Sequence, residues 1–516
     1  MPTDAEERAS DGKELQMRLP NVVARIVWLA GWGLLIAAAP VNATNGMNLE
    51  AYGPIAGGMG GASLAYDNRT AAVMNNPATL GLLGPGTHLD IAFGSLGPDV
   101  DALVEIPGGE REAESTADAF YMPALGLAHK RGRLALGLGI FSQGGMGTEY
   151  TADSWLADPS MGANTALTAG LINRSEVSVG RVIAPLVYDM SDRLRVGASL
   201  DFVWAGMDLQ MAMSEGQFRD LADPQAQQFG RADGTLAEAF GSLYEPFGGQ
   251  GIATLHHAYF DFSNDSDFTG QATATGFAGK LGLVFAATPQ LTLGATYHST
   301  TRLGDLEADE AAMSMGVNID TGIAQGQAPS GTYADMILPL TGTVSVRDFQ
   351  WPASYGIGVA YRPAARLLLA ADVRRIAWSG VMEEFRMVFR ADAVPQNGGF
   401  GGRELDAVLF QDWEDQTVLQ LGVAFDASES FTVRAGYNHG DNPVPDALVN
   451  ALFPAIVEDH LSLGAGYALG PAAALDLSVV VGFEASAKNP GDGASIPPVE
   501  SRHAQLNWQV MYSHRF

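Results

Sequence analysis

The chain has 516 residues, no cysteine, and 29 Lys and Arg against 58 Asp and Glu, for a formal net charge of -29. This acidity excludes nucleic acid as a partner, because phosphate binding needs clustered cations, and the lack of cysteine excludes disulfides, thiolate metal sites and cysteine nucleophiles. Only 17% of the residues are charged, against about 25% in soluble proteins, which suits a surface divided between lipid and water.

Residues 1–43 read as a leader and signal peptide. Arg18 and Arg25 precede the apolar run Ile26–Ala39, and Val41-Asn42-Ala43 has the form of a cleavage site. The leader before Met17 is acidic, so Met17 is an alternative start. The apolar run is shorter than the about 20 residues of a membrane span, so export rather than anchoring is expected.

Residues 44–86 do not alternate in polarity. "GPIAGGMGGASLAYDN" supplies glycines for tight turns, and "AAVMNNPATLGLL" carries an Asn-Asn-Pro turn between apolar runs. A compact plug of small residues is expected here, with the barrel occupying 87–516.

Beyond Thr87, apolar residues recur at every second position. Leu134, Leu136, Leu138 and Ile140 are one set; Leu194, Val196, Ala198, Leu200 and Phe202 are another; Leu461, Leu463, Ala465 and Tyr467 are a late one. Period two marks strands with one apolar face. Short turns such as "HKRG" (129–132), "DMSD" (189–192) and "RPAA" (362–365) alternate with long connections, of which 207–270 and 301–350 are the largest. This pattern predicts an all-β fold: an antiparallel transmembrane β-barrel of about fourteen strands, with short turns at one end and long extracellular loops at the other. The chain closes on "QLNWQVMYSHRF", an alternating strand ending in Phe516, which looks like the signature read by the barrel-assembly machinery. Lipid leaves no backbone group unpaired, so the sheet has to close. A barrel this wide needs a filling, and 44–86 can supply it.

The stretch 44–83 resembles the N-terminal hatch of the FadL family of outer-membrane long-chain fatty-acid transporters. Asn76, Pro77 and Ala78 match that family's Asn-Pro-Ala, and Met59, Gly60 and Gly61 match its Gly-Met-Gly-like run. Met122–Tyr150 resembles its second and third strands, and Trp413–Pro445 its C-terminal third. The resemblance implies uptake of fatty acids or similar hydrophobic compounds by passive diffusion. Ligand would collect in an outer groove, pass a hatch and leave sideways through a kink in the third strand. Met47 falls where the family often places an aromatic gate residue near the hatch tip.

Individual residues can be set against these roles. Leu209, Met211, Met213, Phe218, Leu221, Phe240 and Leu243, with Met313 and Met315, are a large apolar complement for loops. They form either an adaptable ligand groove or the loops' own core. Thr235–Phe247 has the pattern of an amphipathic helix. Lys280, Arg195 and Arg434 fall on the inward parity of their strands, where each could meet a fatty-acid carboxylate or pair with a lumenal Asp or Glu. Ser142, Gln143, Gly144 and Gly145 are the candidate strand kink. His256 and His257 are more simply a solvated pair than a metal site. No nucleophile elbow, zinc-binding His-Glu-x-x-His or phosphate loop occurs, so no catalytic residue, metal or cofactor is expected. The expected partners are a hydrophobic ligand, outer-membrane lipid and lipopolysaccharide, with the chain a monomer in the outer membrane. An aromatic or aliphatic hydrocarbon channel is the alternative function. A lipase-like enzyme and a general porin are less favoured.

Overall fold

The computed structural model describes residues 45–516, apart from 107–108, 160–166, 168–169, 265 and 267–268. The signal peptide expected over 1–43 lies outside the described residues.

The wall of the fold is a closed antiparallel sheet. Its strands are β1 (Gly86–Leu96), β4 (Phe120–Arg131), β5 (Leu134–Tyr150), β6 (Asn173–Asp189), β7 (Leu194–Ser214), β10 (Ala272–Ala286) and β11 (Leu291–His298), then β15 (Ser354–Ala364), β16 (Leu367–Ile376), β19 (Gln416–Asp426), β20 (Phe431–Gly440), β21 (Asp459–Ala468), β22 (Ala473–Asn489) and β23 (Val499–Arg515). Each pairs with the next in this order, and β1 pairs with β23, His88 opposite Arg515, to complete the ring. Closure leaves no edge for lipid to face.

The ring of strands just named is only part of the sheet. One sheet joins twenty-three strands, because the long connections carry ladders of their own. These are β2 (Pro98–Ile106), β3 (Gly109–Glu114), β8 (Gly230–Asp233), β9 (Ile252–Phe262), β12 (Arg302–Leu303), β13 (Leu306–Asp320), β14 (Tyr333–Arg347), β17 (Glu384–Ala391) and β18 (Glu404–Phe410). Period two says that a segment is a strand; it does not say whether that strand joins the ring. The connection expected to begin at Met207 starts later. The pairing of β7 with β6 and β9 carries it on as strand to Ser214.

Alternation places the wall's apolar residues outward. In β10, Phe277, Leu281, Leu283 and Phe285 are exposed, while Lys280, Gly282 and Val284 face in. An outward band of this kind faces hydrocarbon without a solvation cost.

Residues 45–85 pack against the inward face of the wall and are almost all buried. The segment that opens on Ala71 is helical on both sides of its turn: α1 (Pro54–Gly57) precedes it, α2 (Ala72–Asn75) forms its first half, and a 3-10 helix runs Pro77–Leu82. Close approach depends on missing side chains. A Cβ on Gly197 or Gly282 would run into Pro77 and Ala78, one on Gly422 into Met59, and one on Gly436 into the backbone of Gly60. Much of the chain's glycine is therefore a socket for these residues.

Candidate functional site

Asn76 joins the N-terminal segment to the wall. Its backbone is extended, with φ -147°, and its side chain accepts a hydrogen bond from the Ala78 N–H at 3.1 Å, capping the Pro77–Leu82 helix. The same amide donates to the Leu64 carbonyl (2.8 Å) and to the Leu283 carbonyl of β10 (3.2 Å). Pro77 stands at the helix start, where a proline lacks nothing it needs. Ala78 is small because Gly197 and Gly282 lie against it. Asn76→Ala removes the cap and the donor to the buried Leu64 carbonyl, so a cost of about 2–3 kcal/mol is expected. Cells making this variant should show a wild-type amount of heat-modifiable barrel with reduced ligand uptake; normal uptake would mean that the turn only fills space.

The tip of the segment meets a break in β5. Pairing of β5 with β6 slips between Ser142 and Gly144, so Gln143 is an extra residue in the ladder. The tip occupies that slip. Asn48 bridges to Gly144, and the Gly145 N–H donates to the Met47 carbonyl at 3.1 Å. The Tyr52 hydroxyl donates to the Gln143 carbonyl at 2.5 Å. Asn48 Oδ1 accepts from Gln143 Nε2 (3.2 Å) and from Trp351 Nε1 (2.8 Å). A Cβ on Gly144 would meet the Met47 carbonyl, so the approach needs glycine there. Behind the tip, Trp351, Trp378 and Trp413 stack edge to face, with centroids 5.9 and 5.1 Å apart. Gly46, at φ 64°, lies against the Trp378 ring. Sequence reasoning does not single out Asn48, Tyr52, Trp351 or Trp378. Trp351 and Trp378 stand just beyond strand ends, where no alternation marks them.

Beyond the slip the wall is open. β4 pairs with β5 only from Leu125 opposite Ile140 down to Arg131 opposite Leu134. Phe120–Ala124 and Phe141–Tyr150 keep their ladders on their far sides but have none with each other. A cavity of about 270 Å³ lies in this gap, lined by Phe120, Met122, Gly144, Met146 and Trp204 among others.

A second cavity, of about 210 Å³, lies among the long connections. Of the nine proposed groove residues, Met211, Met213 and Leu221 line it. Leu209, Phe218, Phe240, Met313 and Met315 are buried in the large apolar cluster instead, and Leu243 packs on its border. Leu221 and Phe218 come from α3 (Glu215–Ala222), started by a capping box of Ser214 and Gln217; Phe240 comes from α4 (Thr235–Gly241) and meets Phe218 edge to face at 5.1 Å. The expected amphipathic helix is therefore present but shorter, and it serves mainly as packing.

The three candidate cations all have wall partners. Lys280 and Arg181 share Asp201, the latter at 3.0 Å. Arg195 donates to the Gly81 carbonyl at 3.0 Å and lies 3.6 Å from Asp189; Arg434 is 2.9 Å from Asp476. Neither cavity has a Lys or Arg among its described lining residues. His256 and His257, adjacent on β9, do not converge. His256 reaches Asp335 at 3.2 Å, whereas His257 is buried between β7 and β13, and burial followed by the neighbouring His256 lowers its pKa to about 4. No group of metal-ligating side chains occurs among the described residues.

Residues 34–501 match the family model described as "Outer membrane protein transport protein (OMPP1/FadL/TodX)". The toluene transporter TodX of Pseudomonas putida is 26% identical, with a TM-score of 0.73, over 91% of this chain and 99% of that one. The toluene transporter TbuX of Ralstonia pickettii is 29% identical, with a TM-score of 0.69, over 91% and 99%. A Pseudomonas aeruginosa FadL homologue, at 15% identity and a TM-score of 0.64 over 91% and 100%, shares the fold. An uncharacterised Chlorobium limicola protein is 43% identical over 112 residues, which are 22% of this chain and only 53% of that relative. A closed barrel with an occupied lumen, a break in β5 and a match over most of the chain place it plainly: it belongs to the OMPP1/FadL/TodX family of outer-membrane transporters of hydrophobic compounds.

Proposed function

We propose that the chain admits compact, uncharged hydrophobic molecules of monoaromatic size and releases them sideways into the membrane between β4 and β5. Residues 45–85 act as the hatch, with Met47 at its tip and the Ser142–Gly145 slip as its seat. The observation that carries this reading is the lack of Lys and Arg around both cavities, with Lys280, Arg195 and Arg434 each held by a wall carboxylate. A carboxylate entering such a route would lose its water without gaining a counter-ion, which is strongly unfavourable. A hydrocarbon has no such loss. Size agrees, since an apolar cavity of about 150 Å³ suffices for benzene. The relatives described as toluene transporters support the same substrate class.

The test is uptake in a host lacking its own transporter. Labelled toluene should enter several times faster with the protein than without it, and labelled oleate should not. Oleate entry of equal size would restore the fatty-acid reading. In planar bilayers the wild-type conductance should be small; large, steady channels would mean a porin.

A further inference from the structure

The connection between β20 and β21 holds something the uptake route does not account for. Its stretch Leu448–Ile456 turns inward and is largely buried, with Leu452 at 3% and Ala455 at 1% exposure. Both cavities end on it. Leu448, Val449, Ala451 and Leu452 line the outer cavity, whereas Pro454 and Ala455 line the one in the wall gap. The two linings share no residue. Neighbouring stretches of this one connection therefore border both cavities.

This strap has no ladder of its own. It is held by side chains of the wall donating to its carbonyls. The Leu452 carbonyl accepts from Ser175 and, at 3.2 Å, from Thr148. The Ala451 carbonyl accepts from the Tyr150 hydroxyl at 3.0 Å, and the Val449 carbonyl from Asn489 Nδ2 at 3.1 Å. The Pro454 carbonyl is 2.8 Å from His503 Nδ1. Thr148 and Tyr150 belong to the half of β5 that has lost its β4 partner, so the strap is fastened to the lip of the opening. A segment tied by separate side-chain hydrogen bonds can shift without breaking a sheet, unlike the paired strands that line much of the wall gap.

We propose that Leu448–Ile456 is a partition in series with the hatch tip, and that Leu452 sets the largest hydrocarbon that crosses from the outer cavity to the wall gap. The inference rests on the uptake route proposed above. A small planar molecule needs only a slight displacement of the strap. A bulkier one needs the Leu452 side chain out of the way, so the residue discriminates by size rather than by polarity.

The experiment compares entry of labelled toluene and labelled biphenyl in cells carrying the wild-type chain, Leu452→Ala or Leu452→Trp, with barrel assembly checked by gel mobility with and without heating. Leu452→Ala should raise the biphenyl-to-toluene ratio roughly tenfold, the scale on which a few methylenes of room discriminate. Leu452→Trp should lower it. Ser175→Ala, which removes one of the strap's five side-chain ties without changing its bulk, should speed biphenyl more than toluene, and it decides the matter should Leu452→Trp fail to assemble. A ratio that stays constant through all assembled variants, while the wild-type chain admits toluene, overturns the partition alone. A wild-type chain that admits no toluene overturns the uptake route itself.

Discussion

Deleting Gln143 should close the side of the barrel. The deletion removes the extra residue of the slip, so β5 and β6 regain a continuous register from Leu134 to Tyr150. The segment from Phe141 onward then straightens toward the unpaired edge of β4, where Phe120–Ala124 offer free ladder positions. The tip of the N-terminal segment loses its seat as well, because the Gly145 N–H and the Gln143 carbonyl that hold Met47 and Tyr52 move or vanish. Toluene entry should fall to that of cells lacking the protein, because an obligatory conformational step is blocked. The barrel itself should assemble in normal amount and become more resistant to heat. Undiminished entry in an assembled variant would show that ligand leaves by another route.

Gly436→Val should have the opposite consequence, an open pore. A Cβ at Gly436 would overlap the Gly60 N and the Met59 carbonyl carbon, and both are backbone atoms that no rotamer can move. The neighbouring contacts are as tight: Gly58 lies against Gly464, and the Gly60 N–H donates to Ser462 Oγ at 2.9 Å. Overfilling a packed interior costs about 1–3 kcal/mol even when side chains can yield, and here they cannot. Releasing residues 54–61 from the wall is the available relief. Single-channel conductance should therefore rise well above the wild-type level, and the cells should become sensitive to large polar antibiotics. A variant with unchanged conductance and wild-type thermal stability would mean that the lumen is not sealed by these contacts.

Much of this was legible in the sequence, for reasons that differ by element. Wall strands such as β10 and β21 face lipid on one side and the lumen on the other, so their solvents write an alternation that can be read residue by residue. Asn76, Pro77 and Ala78 were legible because turn chemistry is local. The slip at Ser142–Gly145 also left a local mark, because Ser142 and Gly144 break the run of apolar residues at every second position. The fate of Lys280 was not legible: parity turns it inward, but its partner Asp201 lies 79 residues away, on β7. The split of the groove residues was equally hidden. Met211 and Met213 line a cavity while Met313 and Met315 are packed away, and nothing in a methionine's spacing distinguishes an occupied wall from an empty one. The strap at Leu448–Ile456 was invisible because it is irregular, and its importance comes wholly from what lies on its two sides.

The pairing of β1 with β23 has a consequence in time. The strand that seals the ring, β23, comes last among the wall strands in chain order, and its partner β1 comes first. Every shorter length of chain presents two bare strand edges, which other chains can pair with. Local hairpins such as β4 with β5 can form early, but the closing contact has the greatest sequence separation that this wall offers and therefore the largest loop-closure cost. Folding of such a chain is gated by its final seventeen-residue strand, Val499–Arg515, and a chain cut short before it has no partly sealed form in which to wait.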